Sequence, residues 1–167
     1  MKKKMVIFTG QGIHGDLEIL TTAQMTGPNA AHHKIAALQN DYDVTVLTTC
    51  EDDAHEQAGI NKVVHIGNEE LPEERLNELK RIIRLADVCL FLGCQKTRQP
   101  VRSLLISVPS ECRMYVCFFN KGENKSPRLK NLTQAFCASC FAHPEESIDI
   151  VVNDMERFQV DRRKYEP

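Results

Sequence analysis

The residues with the most chemistry in them begin ten positions into the chain. Gly10-Gln11-Gly12-Ile13-His14-Gly15 spells G-x-G-x-x-G directly after the apolar run Met5–Thr9. Glycines at these positions let backbone amides approach a pyrophosphate, and a following helix N-terminus supplies further N–H donors. The same spelling also suits a tight turn that needs small residues. The ordinary dinucleotide fingerprint asks for an acid about 20 residues on, at the end of the second strand. Here that strand candidate ends near Thr48, the next acid is Glu51, and Gly27-Pro28 interrupts the interval. The fingerprint is imperfect, and other nucleotide-binding families come into question.

Other side chains offer chemistry of their own. His14 could donate to a phosphate or a ribose, or be a plain surface histidine. His65 closes a short apolar run, where a histidine is either a general base or a packed, hydrogen-bonded ring. His32 and His33 open a helical pattern and are expected to be half solvated, while a structural role is expected for His55 and a loop for His143. Cys50 would be a nucleophile if its thiol pKa were lowered near a helix N-terminus, or is a relic of lost chemistry. Cys137-Ala-Ser-Cys140 is one Cys-x-x-Cys pair, and structural zinc needs four ligands. A helix would put both thiols on one face, so core packing is the default, with metal and redox readings beside it. The Lys121–Lys130 segment could meet phosphate or be a solvated loop.

Strands and helices must position these groups. Met5–Thr9, Val44–Thr48, Lys62–Ile66, Asp87–Leu92, Met114–Phe119 and Ile148–Val152 read as six strands, apolar enough for a parallel sheet covered on both faces. Pro28–Gln39, Glu69–Leu85, Gln99–Val108 and Arg128–Phe141 read as helices. The clearest is Glu69–Leu85, with Leu71, Leu76, Leu79, Ile82, Ile83 and Leu85 along one side and Pro72 in its first turn. This alternation predicts a Rossmann-like three-layer α/β/α fold with a mainly parallel sheet of about six strands, as a single domain over 1–167. Residues 153–167 read as a short last element or a frayed tail.

Composition narrows the partners. The 167 residues carry a formal net charge of −2, with 42% hydrophobic and 26% charged residues. No bulk field favours nucleic acid or an anionic membrane. No stretch is long enough to span a bilayer, and Lys2–Lys4 precedes too short an apolar run for a signal peptide. Seven scattered cysteines, four of them (Cys89, Cys94, Cys112, Cys117) in or beside apolar runs, suit reduced thiols and a cytoplasmic location. A homo-oligomer or a protein partner is compatible with all of this.

Taken in order, the motifs resemble those of the sirtuins, the NAD-dependent protein deacylases. Val6-Ile7-Phe8-Thr9-Gly10-Gln11-Gly12-Ile13 is similar to the family's opening strand and T-G-A-G-I-S loop. Pro28-Asn29 through His32 to Leu38 resembles the P-N-x-x-H helix, and Val46 through Cys50, Asp52 and His55 to Gly59 resembles V-x-T-Q-N-I-D-G-L-H-x-x-A-G. Leu71-Pro72 and Ala86-Asp87 through Gly93 resemble L-P-x-x and the A-D strand ending in G-T-S. Phe118-Phe119-Asn120 is similar to the late strand end that meets the adenosine ribose. The resemblance implies NAD or ADP-ribose as cofactor, held by Gly10, Gln11, Gly12, Ile13, His14, Cys50, Asp52, Gly93, Cys94, Gln95 and Asn120. Asp52 would hold the nicotinamide amide, and His65 is the one candidate base from the alignment.

The departures shape the expected activity. Only Gly15–Gly27 remains of the family's cofactor loop, and its F-R pair is absent. Cys50 replaces the asparagine, Thr49 the glutamine, and His14 and Gln95 the two ribose-lining serines. The run Lys62–Gly67 goes straight to Leu71-Pro72. It stands either for the H-G strand, with His65 one place short of the catalytic position, or for the peptide-clamping F-G-E strand. No Cys-x-x-Cys pair lies in residues 60–93, so no zinc module is expected and no metal ligand is assigned. The expectation is a nucleotide-binding domain without deacylase activity. The alternatives are an NAD-consuming glycohydrolase or ADP-ribosyl transferase using Asp52 and His65, or a non-catalytic scaffold.

Overall fold

The protein was analysed as a computed structural model, which describes residues 1–14, 27–94, 98–118, 130–131, 137–141 and 144–163. Strand β1 (Lys3–Thr9) lies at the centre of the sheet, parallel to β2 (Tyr42–Thr48) on one side and β4 (Val88–Leu92) on the other. Beyond β2 comes β3 (Val63–His65), and beyond β4 come β5 (Arg113–Phe118), β7 (Cys137–Phe141) and the two-residue β6 (Lys130–Asn131). The order is β3-β2-β1-β4-β5-β7-β6, and only β6 runs antiparallel, against β7. Six parallel strands match the expected Rossmann-like architecture.

The continuous apolar runs are explained by burial on both faces. Side chains alternate along a strand, so β1 sends Met5 and Ile7 into one core and Val6 and Phe8 into the other. The first core is closed by α1 (Ala30–Leu38) through Ala31, Ile35 and Leu38, and by α5 (Pro144–Arg163) through Ile148, Val151 and Met155. The second is closed by α3 (Glu73–Arg84) through Leu79 and Ile83, and by α4 (Val101–Leu105) through Val101 and Leu104. The Phe8 and Phe91 rings stack across β1 and β4, 4.6 Å apart and 3° from parallel. The remaining helix, α2 (Ala54–Gln57), is a single turn after β2.

Two expectations fail near the carboxyl terminus. Ile148–Val152 is not the sixth strand; it lies inside α5, where Ile148, Val151 and Met155 are buried at helical spacing and Asp149 and Asn153 are exposed. The sixth parallel strand is Cys137–Phe141, inside the stretch read as the helix Arg128–Phe141. Positions three apart in a strand fall on opposite faces, so the one-face argument for Cys137 and Cys140 does not hold. Residues 153–163 continue α5 rather than forming a separate element. Pro72 stands at the N-cap of α3, one place before its first turn.

Candidate functional site

The strand order reverses between β1 and β4, and the loops leaving their carboxyl ends meet there. After Thr9 the chain makes one 3-10 turn over Gln11–His14. The Gly12 N–H donates to the Gly93 carbonyl at 3.1 Å, and the Ile13 N–H donates to the Gly10 carbonyl at 3.0 Å. The glycines are needed because the two backbones touch. A Cβ on Gly12 would lie 2.7 Å from Gly93 Cα, and one on Gly93 would lie 2.3 Å from the Gly12 carbonyl carbon. Gly93 also has φ +62°, a left-handed conformation that glycine alone adopts freely. Gly10 and Gly12 thus serve loop closure directly, which was the second reading of the motif.

Around this closure the cofactor candidates converge in part. Ile13, Cys50 and Cys94 are buried, Gln11 is exposed and Gly12 is half-buried. Gly15, Gln95 and Asn120 lie outside the described residues, as does His143. His14 is buried rather than a surface histidine, and its Nε2 lies 3.2 Å from Asp52 Oδ2. The other Asp52 oxygen accepts from the Ala54 N–H at 3.1 Å, which fixes the carboxylate at the start of α2. Burial works against the charge on Asp52, but the Ala54 amide and His14 outweigh it and hold the carboxyl below its usual range. Asp52 is therefore an anion, its side chain 32% exposed.

Behind His14 stands a row of imidazoles that sequence reasoning missed. His32, expected to be half solvated, is fully buried, with its ring 5.4 Å from His14 and 4.7 Å from His55. The signal was present in Asn29-x-x-His32, which forms a reciprocal capping box: Asn29 Oδ1 accepts from the His32 N–H, and His32 Nδ1 accepts from the Asn29 N–H. Asn29 Nδ2 also donates to the Ile13 carbonyl at 2.9 Å, which ties α1 to the glycine turn. His55 Nε2 pairs with Thr9 Oγ1 at 2.9 Å. Three ring nitrogens (His14 Nδ1, His32 Nε2 and His55 Nδ1) are buried without a hydrogen-bond partner. Burial and neighbouring imidazoles push His32 down to about 3, and burial pushes His55 down to about 4 despite Asp52 and Glu56 nearby. Both rings are neutral at pH 7.

His65 and Cys50 differ from their chemical readings. His65 Nδ1 lies 2.9 Å from the Cys50 carbonyl and Nε2 2.5 Å from Glu56 Oε1. Burial opposes its charge, yet the Cys50 carbonyl and Glu56 raise its pKa. Two acceptors on two nitrogens suit an imidazolium, which has no lone pair to act as a base. Burial pushes the Cys50 thiol up to about 11, with the Thr48 hydroxyl pulling the other way, so a lowered pKa is not found there. Burial likewise pushes Cys94 up to about 12.

Comparison with known proteins bears on this fold. A Sir2 homologue solved in complex with NAD superposes with a TM-score of 0.64 at 18% identity, over 93% of this chain and 90% of that one. The fold is that of the Sir2 enzymes. Sir2Af2 bound to a myristoylated histone peptide gives a TM-score of 0.66 at 16% identity, covering 96% and 94% of the two chains. By sequence, the NAD-dependent protein deacylase of Helicobacter pylori is 41% identical over 42 residues, which is 25% of this chain and 18% of the relative, in each of two strains. The match thus spans under a fifth of the curated relatives' length. No family model matches. The Gly10–His14 turn, Asp52 and Gly93 stand together at the carboxyl ends of β1, β2 and β4, and residues 66–72 alone join β3 to α3.

Proposed function

We propose that the chain is a Sir2-like domain that binds NAD or ADP-ribose at the carboxyl edges of β1, β2 and β4, without protein deacylase activity. The observation that carries this reading is the His14–Asp52 pair standing beside the Gly12–Gly93 closure at the point where the strand order reverses. Ligands of open α/β sheets bind at such a point. The residues fit the cofactor in their donor chemistry: an ionised carboxylate suits ribose hydroxyls or a carboxamide N–H, and His14 keeps one buried, unpartnered nitrogen. Bound NAD would supply an activated glycosidic carbon. Cys94, Gln95 and Asn120 complete the proposed binding set.

The missing deacylase activity rests on two features. Residues 66–72 leave no room between β3 and α3 for a zinc ribbon, and His65 has both nitrogens engaged. An NAD-consuming activity with Asp52 and His65 remains the second reading, favoured by the Asp52 anion. It requires His65 to give up Glu56. The buried cysteines, none of them in a disulfide among the described residues, agree with a cytoplasmic setting, and among the described residues no helix is long and apolar enough to cross a membrane.

Titration calorimetry with NAD, ADP-ribose and nicotinamide tests the proposal. Saturable binding of NAD or ADP-ribose, weakened at least tenfold by Asp52→Asn, is expected. No heat and no thermal shift at millimolar ligand would refute it and leave the scaffold reading. Release of nicotinamide that Asp52→Ala abolishes would favour the second reading.

A further inference from the structure

Three donors of different chemistry meet beside the closed glycine turn. One ring nitrogen of His14, Cys50 Sγ and one carboxylate oxygen of Asp52 all lie within 4.8 Å of one another. They come from two loops, at the carboxyl ends of β1 and β2, whose positions are fixed independently. The Thr49 N–H donates to the Thr9 carbonyl at 2.9 Å, and the Cys50 N–H donates to Thr48 Oγ1 at 3.0 Å. Asn29 holds the Ile13 carbonyl, one residue before His14. His14 and Cys50 are buried and Asp52 is half-exposed, so the cluster opens to one side only.

From this geometry we propose that His14, Cys50 and Asp52 form a site for a thiophilic divalent cation of the zinc class, with a fourth position left open. Tetrahedral zinc, with bonds of about 2.0–2.3 Å, places its ligand atoms about 3.3–3.8 Å apart. The His14–Asp52 separation of 3.2 Å is already there, and the remaining pairs need at most about an ångström of side-chain rotation. The donor set selects the metal: thiolate and imidazole favour Zn2+ over Mg2+ or Ca2+, which take all-oxygen shells. The charges also close, since a thiolate, a carboxylate and a neutral imidazole carry −2 against the cation's +2. On binding, the Cys50 S–H bond breaks, its proton leaves to solvent and a metal–sulfur bond forms, with no change in oxidation state.

His14 Nδ1 is buried without a partner, and so is His32 Nε2 on the ring beside it. A metal ion on Nε2, the nitrogen that faces Asp52, would leave Nδ1 to carry the ring N–H, which fixes the tautomer. Three protein ligands and one open position match catalytic rather than structural zinc, where bound water ionises near neutral pH. The metal site shares His14, Cys50 and Asp52 with the proposed nucleotide site, so it is tested without nucleotide.

Metal alone decides it. The full chain, stripped with chelator, is titrated with Zn2+ and with Co2+, and the zinc-loaded protein is examined by X-ray absorption. One equivalent of tightly held metal, a thiolate-to-cobalt charge-transfer band and a zinc shell with one sulfur neighbour are expected. Cys50→Ser should abolish the band. His14→Ala and Asp52→Asn should each weaken binding by about a hundredfold, at or above what loss of an outer partner costs. Cys112→Ser, at the amino edge of the sheet, should change nothing. Absence of stoichiometric binding, a shell with no sulfur, a shell with two sulfurs as Cys137 and Cys140 would give, or a band that survives Cys50→Ser would each overturn the proposal. The absorption spectrum of the wild-type chain keeps it falsifiable if a variant does not fold. Nucleotide binding, measured separately in chelator, reports on the proposed function without touching this one.

Discussion

Histidines in this chain titrate in opposite directions according to what they touch. His32 and His55 are pushed down to about 3 and about 4 because they are buried without a compensating acid in contact. A depressed folded pKa means that the unfolded chain takes up protons first. Stability from these rings is complete above the unfolded value of about 6.5 and falls as pH drops from there toward 4. In chelator, unfolding free energies from urea melts at pH 7 and pH 5 should differ by roughly 2 kcal/mol for each ring, and His32→Asn should flatten the profile. His65 has the reverse sign. Its pKa is raised, so its contribution is complete below about 6.5 and is lost as pH climbs through the folded value. Glu56→Gln should return the His65 titration, followed by NMR, toward the ordinary value. The sequence made Asp52 and His14 visible as candidates. It could not show their pairing, nor the His14–His32–His55 row, because these residues come from three separate segments and touch only once α1 has docked.

Helices and strands succeeded or failed as expectations according to the length of their apolar pattern. The strand candidates ahead of α5 were legible because doubly covered strands are apolar without interruption. Glu73–Arg84 was legible because two of its side chains, Leu79 and Ile83, reach the core on one stripe while Arg75, Glu78 and Arg81 face water. Leu79→Ala or Ile83→Ala should cost about 2–5 kcal/mol in a urea melt, since both side chains are almost fully buried. Ile148–Val152 misled because five residues are too few to separate period two from period 3.6. The buried set extends to Met155, and over that length only a helix fits. Cys137–Phe141 was hidden for the opposite reason: its small residues carry little strand preference, and pairing with β5 imposes the conformation. Gly93→Ala tests the loop closure. It meets backbone at 2.3 Å and a left-handed φ together, so stability should drop by more than about 2 kcal/mol, measured by thermal melt.

At the scale of the molecule, the fold is that of the Sir2 enzymes, and residues 66–72 alone join β3 to α3. At ligand concentrations about 100-fold above Kd, bound NAD would add about 2.7 kcal/mol, a rise in Tm of roughly 5–10 °C for a chain of this length. A scaffold would show none, so the melt separates the two classes before any activity is sought. The far end of the sheet is held differently. Asp154 on α5 accepts from Arg113 Nη2 at 3.0 Å and from Tyr115 Oη at 2.5 Å, which pins the last helix to β5. Tyr115→Phe should lower stability by about 1–2 kcal/mol without altering nucleotide binding, since it lies at the opposite edge from His14 and Asp52.

Among the described residues the two outermost strands are both short: three residues in β3 and two in β6. A long, flat outer strand offers its unpaired amides to any passing chain. Here the offer is small at either border, and β6 also reverses direction, covering part of β7 with the wrong polarity for continuing a parallel stack. The β3 border therefore resists edge-to-edge polymerisation. A concentrated solution should stay free of thioflavin-reactive fibrils even where the thiols are kept reduced, so intermolecular sheet growth is not the route by which copies of this chain would associate.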